Sequence, residues 1–255
     1  MADTSSEISE SCIEKIEDYI ELIESVSKKN ENFWYRGHRK AHWPLLPSVF
    51  RDNVNPSGAK VFEPSVCQNF RLRAPARYSR CPNRDDHPSW LFLMQHYGCP
   101  TRLLDWTKTP LVALYFSLIL QDSKTSDDGA VWVLAPRRLN EETFGNRSFR
   151  PAHSSGVHEL FAEAFKNRKD PDPKKPIAVH PEQIDLRMLV QDGNFTVHSD
   201  STPLEDMENS KYFLRKILIP AESKKKIKRQ LDLMNVKKSV LFPDLQALSD
   251  ELGSA

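Results

Sequence analysis

The chain has 255 residues and carries 36 Lys and Arg against 35 Asp and Glu, which gives a formal charge of +1. This balance excludes a protein that is basic over its whole surface, since no net field draws the chain onto nucleic acid or anionic lipid. Hydrophobic residues make up 39% of the chain, too many for a disordered protein, and they are too dispersed for a membrane span. No P-loop, GxGxxG, GxSxG or HExxH motif occurs.

The cysteines and the N-terminus predict a cytoplasmic protein. The four cysteines form no CxxC pair and no disulfide framework. The first residues, MADTSSEISES, are acidic and polar and lack the basic and apolar regions of a signal peptide. We therefore expect reduced thiols and no contact with a membrane.

The N-terminal segment predicts a tail followed by an amphipathic helix. Apolar residues recur at helical spacing at Ile13, Ile16, Ile20 and Ile23. Ser11 is the expected N-cap, and the helix is predicted to run to about Lys28 and to pack on the main body. Residues 1–30 are therefore set apart from a main domain at 31–252, although the apolar stripe could instead be a binding interface.

The main domain alternates irregularly between predicted strands and helices. Strands are predicted at Phe33–Tyr35, at AVWVLAP, within DLRMLVQDGNFTVH and at YFLRKILIP. Helices are predicted at 88–98, from Pro110 and at 221–234, and KNRKDPDPKKP is predicted to be a surface loop. This mixture predicts an α+β fold, with a mixed or antiparallel sheet and packed helices, rather than a doubly wound α/β fold.

The first candidate site is Tyr35-Arg36-Gly37. An Arg beside a rigid aromatic strand presents a planar fork that suits a diphosphate or a carboxylate. Gly37 permits close approach of a backbone or a ligand. The alternative is an Arg in a buried ion pair beside a glycine turn that ends the strand.

The second candidate site is the segment His96–Thr107, HYGCPTRLLDWT. Its polar groups lie between two apolar helices, so they must find partners or line a cleft. Asp105 is expected to pair with Arg36 or Arg102 and thereby to stay ionised. The alternative is that Asp105 caps the helix at Pro110, although Thr107 and Thr109 are better placed for that cap.

The third candidate is Gln191, which precedes Asp192-Gly193. A Gln at a strand edge could contact a bound ribose, whereas the Asp-Gly pair by itself indicates a hairpin turn. No metal site is predicted, because Cys81, His87, His96 and Cys99 have spacings that match no usual zinc pattern. The arginines at 71, 73, 77 and 80 form a candidate phosphate-facing patch.

Taken in order, these segments resemble the FRG domain family. The resemblance rests on Tyr35-Arg36-Gly37, Trp90, the HYGxPTRLLDWT block, the helix after Pro110, and the QxGxF element at Gln191–Phe195. The LFPDL segment at Leu241–Leu245 closes the pattern, and Ser117 departs from it, since Ala usually stands there. The resemblance implies a bacterial or phage protein associated with toxin or defence contexts.

A more distant likeness to ADP-ribosyltransferases implies that the fold is related to theirs and that the substrate is NAD. It would assign catalytic roles to Arg36, Asp105, Thr107 and Gln191. The predicted ligand-binding set is Tyr35, Arg36, Gly37, His96, Tyr97, Arg102 and Trp106. Arg36 would pair with the diphosphate, and Trp106 or Tyr97 would stack on nicotinamide. Gln191 and Asp192 stand where the usual glutamate is expected, so Asp105 would supply the carboxylate.

Three functions are left open by the sequence. The first is an enzyme that cleaves NAD or transfers ADP-ribose to a nucleic acid or a protein. The second is a non-enzymatic module that binds a nucleotide, a nucleic acid or a protein through the same cleft. The third is an immunity or regulatory component that inhibits a toxin.

Overall fold

A computed structural model describes residues 9–27, 31–51, 59–119, 127–166, 175–181 and 190–253. Several sequence predictions lie outside these residues. They concern the first part of the tail, the end of the N-terminal helix at Lys28, most of the predicted KNRKDPDPKKP loop, and the start of the segment DLRMLV.

Eight strands form one mixed sheet, in the order β1-β8-β4-β2-β3-β7-β6-β5. The strands are β1 Glu10–Cys12, β2 Trp34–His38, β3 Leu103–Thr107, β4 Gly129–Leu134, β5 Arg150–Pro151, β6 Ile177–His180, β7 Gly193–Val197 and β8 Leu214–Ile219. The outer pairs β1–β8 and β5–β6 are parallel, and the inner pairs are antiparallel. The predicted α+β class with a mixed sheet is confirmed.

Ten α-helices with described bounds surround this sheet. They are α1 Ile16–Ser27, α2 Ala59–Arg73, α3 His87–His96, α4 Pro110–Leu118, α5 Pro136–Phe144, α6 Val157–Glu163, α7 Ser210–Phe213, α8 Lys224–Leu233, α9 Lys238–Leu241 and α10 Leu245–Gly253. The predicted helices at 88–98, from Pro110 and at 221–234 correspond to α3, α4 and α8. Pro lies in the first turn of α3 and of α4, where its missing N–H costs no hydrogen bond.

The N-terminal segment differs from its prediction in where the helix begins. Ser11 is no N-cap, because it lies in β1 opposite Ile217 of β8. The helix begins at Ile16, and its buried side includes Tyr19, whose hydroxyl donates to the Pro110 carbonyl at 2.9 Å. Ile20 is 42% exposed. Residues 10–27 thus join the same sheet and the same apolar core as the main body.

The sheet consists of two four-stranded halves that meet at β2 and β3. Five residue pairs join β2 to β4 and five join β3 to β7, but only Tyr35 and Thr107 pair between β2 and β3. Side chains alternate between the two faces of each strand. On the face that carries Tyr35 and Thr107, each half has its own apolar cluster, with α1, α4 and α8 on one and α2, α3 and α6 on the other. On the opposite face, one cluster around Trp34, Trp106 and Trp132 spans both halves.

Gly37 brings α4 close to β2. A Cβ atom at this position would lie 2.0 Å from the Ala113 carbonyl oxygen and 2.6 Å from the Ser117 backbone nitrogen. The closely approaching group is therefore the backbone of α4, one of the two alternatives expected for Gly37. The sequence suggested that this glycine ends the strand. It lies instead within β2, which continues to His38.

The segment around Gln191 also differs from its prediction. Residues 190–191 are helical, and β7 begins only at Gly193. Gln191 therefore lies at a helix end rather than at a strand edge, and Asp192-Gly193 is not the turn of a hairpin. Asp192 has a positive φ of 43°, and its carbonyl accepts from the Lys108 backbone N–H at 3.2 Å, so this turn is fixed against the end of β3.

Candidate functional site

A cavity of about 1070 Å³ opens beside β2 and β3, where the sheet ladder is interrupted. Its walls come from these two strands, the start of β7, α4, the end of α3 and the segment 39–51. All four predicted catalytic residues line it: Arg36, Asp105, Thr107 and Gln191. Of the other predicted binding residues, Tyr35, Gly37, His96 and Trp106 also line it. Its volume is at the upper end of the range of about 300–1,000 Å³ that is usual for ligand pockets.

The interruption between β2 and β3 brings Arg36 and Asp105 together. Strand alternation places their side chains on opposite faces of the sheet, given that Tyr35 pairs with Thr107. Because the ladder does not continue beyond that pair, the Arg36 side chain reaches the other strand. Its Nη1 donates to the Asp105 carbonyl oxygen at 2.7 Å and lies 3.6 Å from the Asp105 carboxylate.

His38 holds the other side of the Arg36 guanidinium. Nε of Arg36 donates to Nε2 of His38 at 3.1 Å. Since that imidazole nitrogen accepts, Nδ1 carries the proton and donates to the Trp43 carbonyl at 3.1 Å. Burial and the neighbouring Arg36 charge hold the pKa of His38 well below its usual value, so this histidine is neutral. The guanidinium is thus fixed in one orientation.

Arg36 remains charged in a site that is largely removed from water. Its side chain is 18% exposed. Burial lowers the pKa of Arg36 to about 10, and Asp105 acts in the opposite direction. A pKa of about 10 keeps the group protonated at neutral pH, and a desolvated cation interacts strongly with an anion that enters beside it.

Two further arginines of the pocket, Arg39 and Arg51, were missed by sequence reasoning. Nε and Nη2 of Arg51 donate to the Leu46 carbonyl at 3.0 and 2.9 Å, and burial lowers the pKa of Arg51. The Arg39 guanidinium lies over the Trp43 ring, 5.2 Å from its centroid. With Arg36 these groups place three positive charges around the cavity. The basic residues that directly follow Gly37 were the available signal for Arg39, whereas no sequence pattern marked Arg51.

Asp105 is the one carboxylate among the described residues that line the cavity. Its side chain is 55% exposed, so it is open to a bound molecule. Nε2 of Gln95 donates to Oδ2 of Asp105 at 2.7 Å. The side-chain oxygen Oε1 of Gln95 in turn accepts from the Thr101 hydroxyl, which sets the orientation of the amide. Sequence reasoning did not single out Gln95, although it directly precedes the HYG motif.

Thr107 and Gln191 line the cavity, but their polar atoms have partners within the protein. The Thr107 hydroxyl donates to the Gln191 backbone carbonyl and accepts from the Thr109 backbone N–H at 3.0 Å. The Gln191 amide donates to the Leu241 carbonyl at 2.9 Å. These bonds tie the end of β3 to the start of α4 and to the C-terminal segment. The two residues therefore support the wall of the cavity, and of the four predicted catalytic residues only Arg36 and Asp105 carry charge.

Arg102 and Tyr97 do not line the cavity. Arg102 is 7% exposed, its Nε and Nη2 donate to the Glu63 carboxylate at 3.0 and 2.6 Å, and its Nη1 donates to the Leu160 carbonyl. Burial lowers and Glu63 raises the pKa of Arg102, and the net direction is upward. Tyr97 is 58% exposed, with its ring 6.2 Å from that of Tyr78. Both residues therefore lie outside the cavity that the other predicted ligand-binding residues line.

Trp106 presents its edge to the protein interior. Its Nε1 donates to the Thr196 hydroxyl at 3.1 Å, and the residue is 3% exposed.

Within the described ranges, no group of three or more His, Cys, Asp or Glu side chains is arranged to hold a metal ion. In the same ranges, no helix has the length and apolar character that a membrane crossing requires.

Comparison with known protein families gives a match over the first part of the main domain. Residues 31–127 match the family model described as the FRG domain, a range that includes β2, α3, β3, α4 and most of the cavity wall. No curated protein matches the chain. No solved structure matches it either, so the likeness to ADP-ribosyltransferases receives no support from these comparisons.

Proposed function

We propose that the cavity around Arg36 is a functional site and that it binds NAD; most of its wall lies within residues 31–127, the range that matches the FRG domain family model. One observation carries the proposal: a fixed, desolvated guanidinium and an accessible carboxylate, Arg36 and Asp105, meet in a single cavity of ligand size. These are the two kinds of group that the diphosphate and the ribose of a dinucleotide require.

The lining accounts for each part of such a ligand. The diphosphate carries two negative charges, which fit Arg36 and Arg51, because guanidinium groups bind phosphate oxygens through paired N–H donors. The cavity also has apolar walls, to which Phe50, Phe92 and Phe116 contribute. Flat apolar walls favour the aromatic rings of adenine and nicotinamide. An excess of positive over negative charge in the lining selects for an anionic ligand.

We further propose that bound NAD is cleaved between nicotinamide and ribose. Nicotinamide leaves with the electron pair of the C–N bond, so positive charge develops on the ribose. The Asp105 carboxylate, held by Gln95, stabilises that charge from a fixed position. Attack by water then gives ADP-ribose and one proton, whereas attack by a nucleophile of a protein or nucleic acid gives ADP-ribosylation. Loss of cellular NAD would suit a toxin or phage-defence effector.

The first test measures nicotinamide release and NAD affinity on the purified full-length chain. We expect wild-type protein to bind NAD in calorimetry and to release nicotinamide in a chromatographic assay. Arg36→Ala should lower the affinity at least tenfold, since a charged hydrogen bond contributes about 1.5–3 kcal/mol. The matched control is Arg229→Ala, because Arg229 is exposed on α8. Wild-type protein that neither binds NAD nor releases nicotinamide would remove the proposal.

A non-enzymatic binding module is the second candidate. The observation that favours it is that the polar atoms of Thr107 and Gln191 are already bonded within the protein, and that the described lining contains a single acidic side chain, Asp105. This candidate predicts that NAD and ADP-ribose bind with similar affinity and that no nicotinamide appears. Asp105→Asn separates the two, because it should abolish turnover in an enzyme and change binding little in a module.

A further inference from the structure

The segment from residue 64 to residue 84 is strongly basic in a chain of balanced charge. It contains five arginines and no Asp or Glu, whereas the whole chain has a formal charge of +1. The five are Arg71, Arg73, Arg77, Arg80 and Arg84. Such a local excess creates a positive potential that the overall composition conceals.

One of these arginines holds the segment in place, and the others lie outward. Nη2 of Arg71 donates to the Gln68 side chain at 2.7 Å, and Nη1 donates to the Arg84 carbonyl at 3.1 Å. The Arg71 guanidinium also lies over the Phe165 ring, 5.2 Å from its centroid. Arg73, Arg77, Arg80 and Arg84 are exposed. The backbone that carries the outward arginines is therefore anchored at both ends.

One exposed and one half-buried aromatic ring belong to the same region. Tyr97 is 58% exposed, and its ring is 6.2 Å from that of Tyr78, which stands between Arg77 and Arg80 in the sequence. The other side of Tyr97 contacts His96, with ring centroids 4.8 Å apart. We call Arg73, Arg77, Tyr78, Arg80 and Tyr97 the Arg–Tyr surface. Because His96 lines the cavity, this surface extends to the cavity rim.

We propose that the Arg–Tyr surface binds single-stranded nucleic acid. Proteins that hold a single strand combine cations that follow the phosphates with aromatic side chains on which the bases stack. Both elements are present, and the exposed ring of Tyr97 has no use in the apolar core. A duplex keeps its bases stacked on one another and would leave Tyr97 unused. If the proposed NAD chemistry also holds, the bound strand lies at the rim where an acceptor would enter.

The test is fluorescence anisotropy with labelled poly(dT) and poly(U), without NAD, so that its outcome does not depend on chemistry in the cavity. We expect affinity to fall with salt. The triple variant Arg73→Gln, Arg77→Gln, Arg80→Gln should reduce the slope of log K against log salt by about 2, since each lost phosphate contact contributes about 0.7. Tyr97→Ala should weaken binding about fivefold or more, whereas Tyr97→Phe should retain it.

The matched control is a second triple variant that removes three positive charges from exposed positions of α8. It combines Lys225→Gln, Lys226→Gln and Arg229→Gln. It should leave affinity and salt slope near wild type. Equal weakening by both triple variants, or no binding of either strand, overturns the proposal. So does tighter binding of a duplex of the same length. Binding to phosphatidylserine vesicles but not to the oligonucleotides would assign the surface to membranes and overturn it as well.

Discussion

At the scale of single residues, the site depends on how a few side chains hold one another. Arg36 has partners at both Nε and Nη1, so only small motions of its guanidinium are open. Asp105 is held from one side by Gln95 and faces Arg36 on the other. Such preorganisation matters because a charge that is already oriented stabilises a transition state without further rearrangement.

Gln95→Met tests the role of Gln95 as a positioning residue for Asp105. The change removes the amide that donates to the carboxylate and keeps a similar side-chain volume. We expect the rate of nicotinamide release to fall about tenfold or more, since a charged hydrogen bond contributes about 1.5–3 kcal/mol. The KM for NAD should change little, because the proposed contacts of the diphosphate are with Arg36 and Arg51 and not with Gln95. Parallel loss of kcat and NAD affinity would instead show that Gln95 contacts the ligand.

The matched control for this substitution is Gln246→Met, since Gln246 lies on the exposed α10. It should leave both kinetic constants at wild-type values. Equal rates for wild type and Gln95→Met would contradict the positioning role.

Arg102 and Asp105 show what sequence can and cannot predict about a site. Both belong to one motif. The prediction that polar groups in apolar surroundings find partners or line a cleft is confirmed for both. The partner of Arg102 is Glu63, which lies 39 positions earlier in the chain and shares no pattern with the motif. Arg51 and Gln95 were missed for the same reason, since their proximity to Asp105 arises only from the folded chain.

At the scale of elements, the predictable parts are those with an uninterrupted apolar pattern. β4 is buried along all six residues, and α3 and α4 are apolar on nearly all sides. β1 was not predictable, because its three residues are mostly exposed and its partner β8 lies about two hundred positions away. The end of the helix at Gln191 was hidden because the β-branched and apolar residues around it also suit a strand.

Gly37→Ala tests the contact between β2 and α4. The new Cβ atom would meet backbone rather than a flexible side chain, so the helix must shift. We expect the free energy of unfolding in urea to fall by about 2 kcal/mol or more, within the usual range for overpacking. Gly253→Ala serves as control, since no atom lies within 4 Å of a Cβ there. Wild-type stability of Gly37→Ala would show that the helix accommodates the methyl group freely.

At the scale of the whole molecule, buried neutral histidines make stability depend on pH. His198 is 1% exposed, and its Nε2 lies 2.9 Å from the Thr196 hydroxyl. Burial lowers the pKa of His198 to about 3, with Arg36 and Arg102 acting in the same direction. The pKa of His38 is also lowered. In the unfolded chain a histidine has a pKa of about 6.5.

The sign of this dependence follows from proton binding. Between about pH 6.5 and pH 3 the unfolded chain holds a proton on His198 and the folded protein does not, so stability falls as the pH is lowered. The contribution is about 1.4 kcal/mol per pH unit for each such histidine. We expect urea unfolding between pH 7 and pH 5 to show this slope. His198→Gln should reduce the slope of the unfolding free energy against pH by about 1.4 kcal/mol per pH unit, which corresponds to one proton. His42→Gln should leave the slope unchanged, because His42 is exposed. An unchanged slope in His198→Gln would contradict the assignment.

The two halves of the sheet have a consequence for cooperativity. They share only one residue pair within the ladder, and each draws its strands from separate stretches of the chain, so neither is a domain in the sequence sense. A single apolar cluster that contains Trp34, Trp106 and Trp132 joins the two halves. It lies on the face of the sheet opposite to Tyr35 and Thr107. A molecule that occupies the gap between β2 and β3 contacts both halves at once. Its binding free energy therefore also becomes part of the work needed to separate the two halves.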